Sequence, residues 1–455
     1  MSTHVSAQRE LLLETTTLTE REVAIGLDVP WEMKWGPDDY IWLTERPGRM
    51  KRIKPRTGNV TEILDLTNIV GNFAESGMLG FCFHPDFQNN QRLFLAYDIG
   101  NNENNLTKRL SAFRWDGTQL VDEQILLENI RAFQFHSGCR LLISRDDKLL
   151  MTLGDIFNEE LPQDKNSLHG KLLRINLDGS VPSDNPIPNS YIYAYGLRNS
   201  QGLAYGPQDR LYISEHGPDS ADEFNQVVAG ANYGWPNVLG QCNTGPEIAF
   251  CNANNVQEPL IEWTPPVAPS DIIYYNHEAI PEWEGQMLMA MLGGFFARFS
   301  GIRFIDLNEA GTTVLNSSEV FFRDYGRIRD ICINPNNGAI YFATNGSAYP
   351  SQGPNRIIEY RNLDFISTVI DEPDVDQYFN VFPSPVKHGQ ALSIDYSSSF
   401  NNTVAEIYSM NGEFIQTISI NRQKGIATDE FEAGQYFIKV ANGKGTITQK
   451  FIVIQ

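Results

Sequence analysis

One phrase recurs six times in this chain and constrains its fold more than any other feature. A turn rich in Pro, Gly, Asn and Asp is followed by a short β-branched or aromatic run. It reads GPDDYIWLTE from Gly36, HPDFQNNQRLFLAYD from His84 and SRDDKLLMTLGD from Ser144. It returns as GPQDRLYISEHG from Gly206, more loosely as PEWEGQMLMAM from Pro281, and as NPNNGAIYFATNG from Asn334. Runs bounded in this way are strands. Repeats about 50 to 75 residues apart leave room for one four-stranded sheet each, and radially repeated four-stranded sheets make a propeller. The sequence therefore predicts an all-β protein built on a six-bladed β-propeller; a sandwich with long insertions is the poorer alternative. Loops at one end of every blade meet at the central channel. Glu45-Arg46, Asp98, Asp155, Glu215-His216 and Asn345, which directly follow the repeated strands, are expected to gather there.

The third repeat sits in a hairpin with unusual ends. In FHSGCRLLISRDDKLLMTLGD, Phe135 to Asp155, two apolar runs flank the turn Arg145-Asp146-Asp147. The start of the first strand and the end of the second share one edge of an antiparallel pair. His136 and Asp155 are therefore expected side by side at one rim. An isolated histidine there is no more than a polar cap; a histidine beside a carboxylate is also a candidate base.

The charge excludes one class of partner. Thirty-five Lys and Arg against 56 Asp and Glu give −21, and binding nucleic acid needs a basic footprint. The charge is uneven: from Phe379 onward there are six basic and six acidic residues, so all of the −21 lies earlier. That break predicts two units. Cys82, Cys139 and Cys332 lie in apolar runs and read as buried thiols. Cys242 and Cys251 bracket the polar loop CNTGPEIAFC, either as a local disulfide, which would imply an oxidising compartment, or as two free thiols. No run is long and apolar enough to span a bilayer. The opening MSTHVSAQRELLLETTTLTE lacks the order of a signal peptide, so if the protein is exported its signal is absent from the sequence given.

The stretch YGLRNSQGLAYGPQDRLYISEHGPDSADEFNQVVAGANYGWPNV, Tyr195 to Val238, closely resembles the soluble quinoprotein sugar dehydrogenases, which are glucose/sorbosone dehydrogenase-like six-bladed propellers. GMLGFCFHPDFQNN, HSGCRLL with TLGD, HGKLLRINLDG, PPVAPS and GRIRDICINPNNGAIYF extend the resemblance over roughly Glu22 to Tyr360. It implies pyrroloquinoline quinone and calcium as cofactors, a sugar as substrate and an external electron acceptor. By the same resemblance, His136 is the base that takes the hydroxyl proton, and Asp155 orients it. Arg198 and Asn199 contact the quinone, and Arg327 and Arg329 clamp its carboxylates. Gly217 and Pro218 offer carbonyls to calcium, an oxygen-seeking ion. The chain also departs from the family. Glu75 replaces a glutamine beside the cofactor, and Phe135 replaces an acid that contacts sugar. Gly293 falls where a lysine is expected, GDIFNEE replaces the usual continuation after the aspartate, and Trp263 lies one place off.

After Tyr360 the phrase stops. Residues 361–378 read as a linker and 379–455 as a small β-sandwich-like domain, with residues 1–21 as an N-terminal extension before the propeller at 22–360. Asn411-Gly412 and Asn442-Gly443 between apolar runs mark hairpins. FPSPV, YSMNGE, GQYFIKV and the closing KFIV make this unit resemble the C-terminal sorting domain of type IX secretion. That resemblance implies secretion machinery as a partner and export through the periplasm to the surface or beyond. Two readings of the whole follow: an exported quinoprotein oxidising an aldose or related polyol, or a cofactor-free propeller that binds glycans or a protein partner.

Overall fold

The computed structural model describes residues 9–294, 298–347, 349, 353–365, 379–382, 384–396, 403–420, 425–429, 431–442 and 445–454. The chain divides into two units, Met1–Ile366 and Ser367–Gln455.

The first unit is a propeller of six antiparallel sheets. The first blade runs Pro30–Trp35, Ile41–Glu45, Arg49–Ile53 and Val60–Asp65. The second blade runs Met78–Phe83, Arg92–Ile99, Leu106–Trp115 and Leu120–Ala132. The third is Leu141–Ile143, Leu149–Leu153, Lys171–Ile175 and Ile192–Tyr195. The fourth is Ser200–Tyr205, Leu211–Glu215, Asp222–Gln226 and Ile261–Trp263. The fifth is Pro269–Tyr275, Gln286–Met291, Gly301–Leu307 and Val314–Asn316. The sixth begins with Ile328–Ile333, Ile340–Thr344 and Arg356–Asn362. Each repeated phrase thus supplies the second strand of one blade. Those second strands are almost wholly buried, because they face neighbouring blades on both sides.

The sixth blade corrects the expected domain start. Its fourth strand is Thr17–Ile25, which pairs with Arg356–Asn362, and Glu10–Leu12 adds a fifth. The segment up to residue 21 is therefore not an extension from residue 10 onward; it closes the ring. A ring without this pairing would leave two open sheet edges. Glu282 in the fifth blade holds the closure, accepting from the backbone N–H and hydroxyl of both Thr15 and Thr16 at 2.8–2.9 Å.

Apolar side chains fill the gaps between blades. Between the first and second, Trp42 is fully buried and meets Phe83, Phe87 and Trp115 edge-on. Each large side chain buried in this way contributes about 1.5–3 kcal/mol. Cys82, Cys139 and Cys332 are buried free thiols, while Cys242 and Cys251 are joined in a disulfide. The bond ties the end of the helix Gly245–Asn254 to its approach.

The second unit has two sheets around one core, which includes Leu392, Ile407, Ile438, Val440 and Phe451. Phe414–Ile420 follows Thr403–Ser409 through the Asn411-Gly412 turn. Gly434–Asn442 pairs with Gly445–Ile454, with Gly443 outside the described residues. Of the expected linker 361–378, residues 366–378 also lie outside them. No helix among the described residues is long and apolar enough to cross a membrane.

Candidate active site

The rim of the propeller that carries the site is set by strand direction. The start of each first strand and the end of each second strand open at the same end. His136 lies just before the third blade's first strand, and Asp155 just after its second. His136 Nδ1 lies 2.6 Å from Asp155 Oδ1, and both residues are buried. A carboxylate can only accept, so the ring carries its proton on Nδ1 and its lone pair on Nε2. Asp155 is itself held. Its Oδ2 accepts from Trp235 Nε1 at 2.9 Å and its Oδ1 from the Phe157 amide at 2.8 Å. Its backbone N–H donates to Arg198 O at 2.8 Å. Gly154 is obligatory here, since a Cβ would come within 2.0 Å of His136 O.

Around this pair stand guanidiniums without carboxylate partners. Arg198 donates to His216 O at 3.2 Å and lies 5.3 Å over the Trp235 ring. Arg329 donates to Gln201 Oε1 at 2.9 Å, and Arg46 to Asn72 Oδ1 at 3.0 Å. Arg327 donates to Gly294 O at 2.5 Å and Leu292 O at 3.3 Å, on either side of Gly293. Among the described residues none of the four makes an ion pair. The buried Nε atoms of Arg198, Arg327 and Arg329 have no hydrogen-bond partner there. Burial pulls Arg327 down to about 10, against the pull of Glu75. Burial, and then repulsion from Arg327 and Arg140, pulls Arg329 down to about 9. Such a cluster is costly unless an anion shares it.

Glu75 stands within electrostatic reach of Arg46, Arg327 and Arg329. Its Oε2 accepts from the His136 backbone N–H at 3.0 Å. Asn199 turns its side chain inward: Oδ1 accepts from Gln201 Nε2 at 3.0 Å and from the Gly138 amide at 3.4 Å. It positions backbone and presents no free side-chain acceptor to the mouth. Gly217 begins the turn after the fourth blade's second strand, with Pro218 exposed beside it. The Gly217 N–H donates to Asp222 Oδ1 at 2.8 Å, and Asp222 Oδ2 accepts from the amides of Val267 and Ala268 at 2.7 Å. A Cβ at Gly217 would lie 1.9 Å from Ser220 O. Among the described residues no three His, Cys, Asp or Glu side chains converge as a metal cluster. What Gly217 and Pro218 offer is backbone oxygen, which suits calcium and not a softer metal.

Other residues expected at the rim turn out to be braces. Asp98 pairs with Lys108 at 2.8 Å and accepts from Ser137 Oγ at 2.9 Å. Glu45 pairs with Lys51 at 2.7 Å, and Asn345 donates to Pro30 O at 2.8 Å. Burial raises Glu215 to about 8 while its oxygens take the Asn199 amide and the Ser200 hydroxyl. Burial and then the nearby Arg198 charge lower His216 to about 3, so that it stays neutral. Arg46, expected at the rim, joins the arginines there, whereas Trp235 and Gln201 hold the site together but carry no role in the sequence reading. The stretch from Tyr195 to Val238 contains both, yet nothing local points Trp235 at an aspartate 80 residues away.

The fold and site define a propeller with a carboxylate-held histidine and an arginine cradle at one mouth. Comparison with known proteins makes the class specific: the chain belongs to the Glucose / Sorbosone dehydrogenase family, matched over residues 27–350. The quinoprotein glucose dehydrogenase B of Acinetobacter calcoaceticus is 30% identical over 412 residues, covering 71% of this chain and 85% of the relative. The aldose sugar dehydrogenase YliI of Escherichia coli is 27% identical, covering 71% and 88%. The structure of the quinone-bound aldose sugar dehydrogenase of Streptomyces coelicolor superposes with a TM-score of 0.64 at 29% identity, covering 75% of this chain and 96% of that one. Residues 380–454 match the secretion system C-terminal sorting domain. The chain is thus an oxidoreductase of the Glucose / Sorbosone dehydrogenase family, followed in sequence by a sorting domain.

Proposed function

We propose that this protein oxidises an aldose at a hydroxyl carbon, using pyrroloquinoline quinone held at the propeller mouth together with calcium. The observation that carries the reading is the pairing of His136 with Asp155 beside guanidiniums that lack anions. A planar tricarboxylate fits a cradle of Arg46, Arg327 and Arg329, with Arg198 toward the histidine, and the Gly217 and Pro218 carbonyls fit calcium. When bound, the quinone supplies the acceptor for a hydride.

The chain's own residues do the rest. His136 Nε2 takes the hydroxyl proton, without which a departing hydride would leave a high-energy cation. Asp155 stabilises the imidazolium that forms and fixes its tautomer, while Trp235 stops the carboxylate from rotating away. Arg198, already oriented by His216 O, would stabilise negative charge on the quinone when it is bound.

The test adds quinone and calcium to the purified protein and screens sugars with an artificial electron acceptor. Sugar-dependent reduction that needs both additions is expected. No turnover, together with no thermal shift from quinone, would overturn the reading in favour of a propeller that only binds glycans or a partner.

The second unit is proposed to hand the enzyme to the secretion machinery for release or surface display. Deleting residues 379–455 in the native host should leave the enzyme in the periplasm; unchanged export would refute this.

A further inference from the structure

The mouth carries an aromatic wall that the proposed chemistry does not use. Phe157 packs its ring 5.0 Å from that of His136 and 6.1 Å from Phe135, which in turn meets Phe133 at 5.9 Å. Phe157 is 66% exposed, so core packing does not account for it. Its backbone is also in the wrong place for such a residue. Phe157 has φ of 61° and Ile156 before it has φ of 51°, both in the left-handed region where a bulky side chain is strained and glycine is not. The strain is held by Asp155, whose Oδ1 takes the Phe157 amide and His136 Nδ1 together. One carboxylate oxygen therefore sets both the base and the ring beside it. A strained, exposed aromatic fixed against a base points to a ligand contact.

We propose that Phe157, backed by Phe135, is a stacking platform that selects cyclic aldoses with an unbroken C–H face over acyclic polyols. This deepens the proposed function and rests on it. With the two rings 5.0 Å apart, a sugar whose hydroxyl meets His136 Nε2 can lay its carbon skeleton against the Phe157 ring. A pyranose with equatorial hydroxyls offers a flat row of C–H groups to the negative face of that ring. An open-chain polyol has no such face and must freeze many torsions to imitate one. Phe135 stands where the resemblance expects an acid. The position that would grip a hydroxyl is thus given over to apolar contact.

The test compares the full chain, loaded with quinone and calcium, with Phe157→Gly and Phe157→Leu. Glycine relieves the backbone strain while removing the ring, so this variant is expected to melt no lower than the parent. Its preference for glucose over sorbitol, as a ratio of kcat/KM, should fall about tenfold. Binding of 1-deoxyglucose, which lacks the hydroxyl to be oxidised, should weaken about as much by calorimetry. Leucine keeps apolar bulk without the aromatic face and should behave like glycine in both assays. A parent that oxidises no sugar but binds 1-deoxyglucose through Phe157 would sink the proposed function and leave the platform standing. Unchanged discrimination and unchanged 1-deoxyglucose affinity in Phe157→Gly would overturn the platform. A marked loss of melting temperature in that variant would assign the ring to the fold instead.

Discussion

Two clusters of buried charge lie in this propeller, and both use the first strand of the sixth blade. Arg329 belongs to the mouth; Asp330, the next residue, belongs to the channel below. In the channel, Arg140 pairs with Asp330, with Glu32 at 3.4 Å and with Asp271 at 3.7 Å. Lys34 pairs with Glu32 at 2.5 Å, and the Trp31 ring covers Arg140 at 4.7 Å. Blades one, three, five and six are tied by charges that answer one another. At the mouth, four guanidiniums have no such answer among the described residues. The pairing with Ile340–Thr344 shifts register between Ile328 and Asp330, a bulge at Arg329 that re-aims its side chain, so one short run, Arg329-Asp330, serves both. Charge paired by the chain itself is scaffold, and charge left unpaired is a site.

The largest expected effect falls on the mouth alone. His136→Ala should lower turnover by ~10²–10⁴ while leaving the melting temperature near that of the parent. Asp155→Asn should also slow turnover, by disturbing the tautomer and failing to stabilise the cation. Quinone affinity should change far less in both, since the arginines carry it. Steady-state kinetics beside a quinone titration checks this. Equal turnover in parent and His136→Ala would remove the base assignment.

The next pair of variants sets one cluster against the other. Arg140→Met leaves three buried carboxylates short of a partner and should cost about 3–5 kcal/mol of stability. Arg329→Met removes a buried cation that makes no ion pair among the described residues and is repelled by Arg327 and Arg140, so the unliganded protein should melt no lower. Its quinone affinity should drop about tenfold or more, the scale of a charged hydrogen bond. Denaturant melts with and without quinone separate the two. If Arg329→Met destabilised the empty protein as much as Arg140→Met, the distinction between scaffold and site would fail.

How much of this was legible in the sequence depends on distance along the chain. The repeated phrase exposes the six second strands because the signal is local: a turn, then a β-branched run. The His136–Asp155 contact follows from one hairpin. By contrast, Thr17–Ile25 closes a blade with strands some 340 residues later, and nothing in TLTEREVAI names its partner. Asp155 with Trp235, and Arg140 with Asp330, are likewise contacts that only the closed ring creates. Asp98 and Glu45 looked like rim groups because they follow repeated strands. They are neutralised by Lys108 and Lys51, which are near in sequence but visible as partners only once register is known.

The unpaired arginines also predict a pH response. Burial lowers Arg329 to about 9 in the folded chain, against an ordinary value of 12.5. Below pH 9 both folded and unfolded forms are charged, and the folded form bears the full cost of burial. As pH rises from about 9 toward 12.5, the folded form releases this proton first, so this group's share of stability increases with pH. Quinone affinity should move the other way and weaken above about pH 9, because the cradle loses a charge. Calorimetric titration between pH 7 and 10 measures it. In Arg329→Met the part of the slope due to this group should vanish.

The smallest effect concerns Glu75, a carboxylate within electrostatic reach of Arg46, Arg327 and Arg329. Its charge opposes an anionic quinone, yet it also relieves repulsion between Arg327 and Arg329. Its Oε2 accepts the His136 amide, a bond that a glutamine oxygen keeps. Glu75→Gln therefore isolates the charge from the hydrogen bond. The relief of repulsion matters most in the empty protein, where nothing else answers the arginines. The opposition matters only in the loaded one, where the ligand's carboxylates already answer them. Glu75→Gln is thus expected to lower the empty protein's melting temperature slightly and tighten quinone binding about three- to tenfold. The two shifts have one origin and must appear together: a less stable empty state is part of why the loaded state gains. Weaker quinone binding in Glu75→Gln would show that Glu75 acts chiefly by holding the arginines in place. This carboxylate would then belong with the paired charges of the channel rather than with the open ones above it.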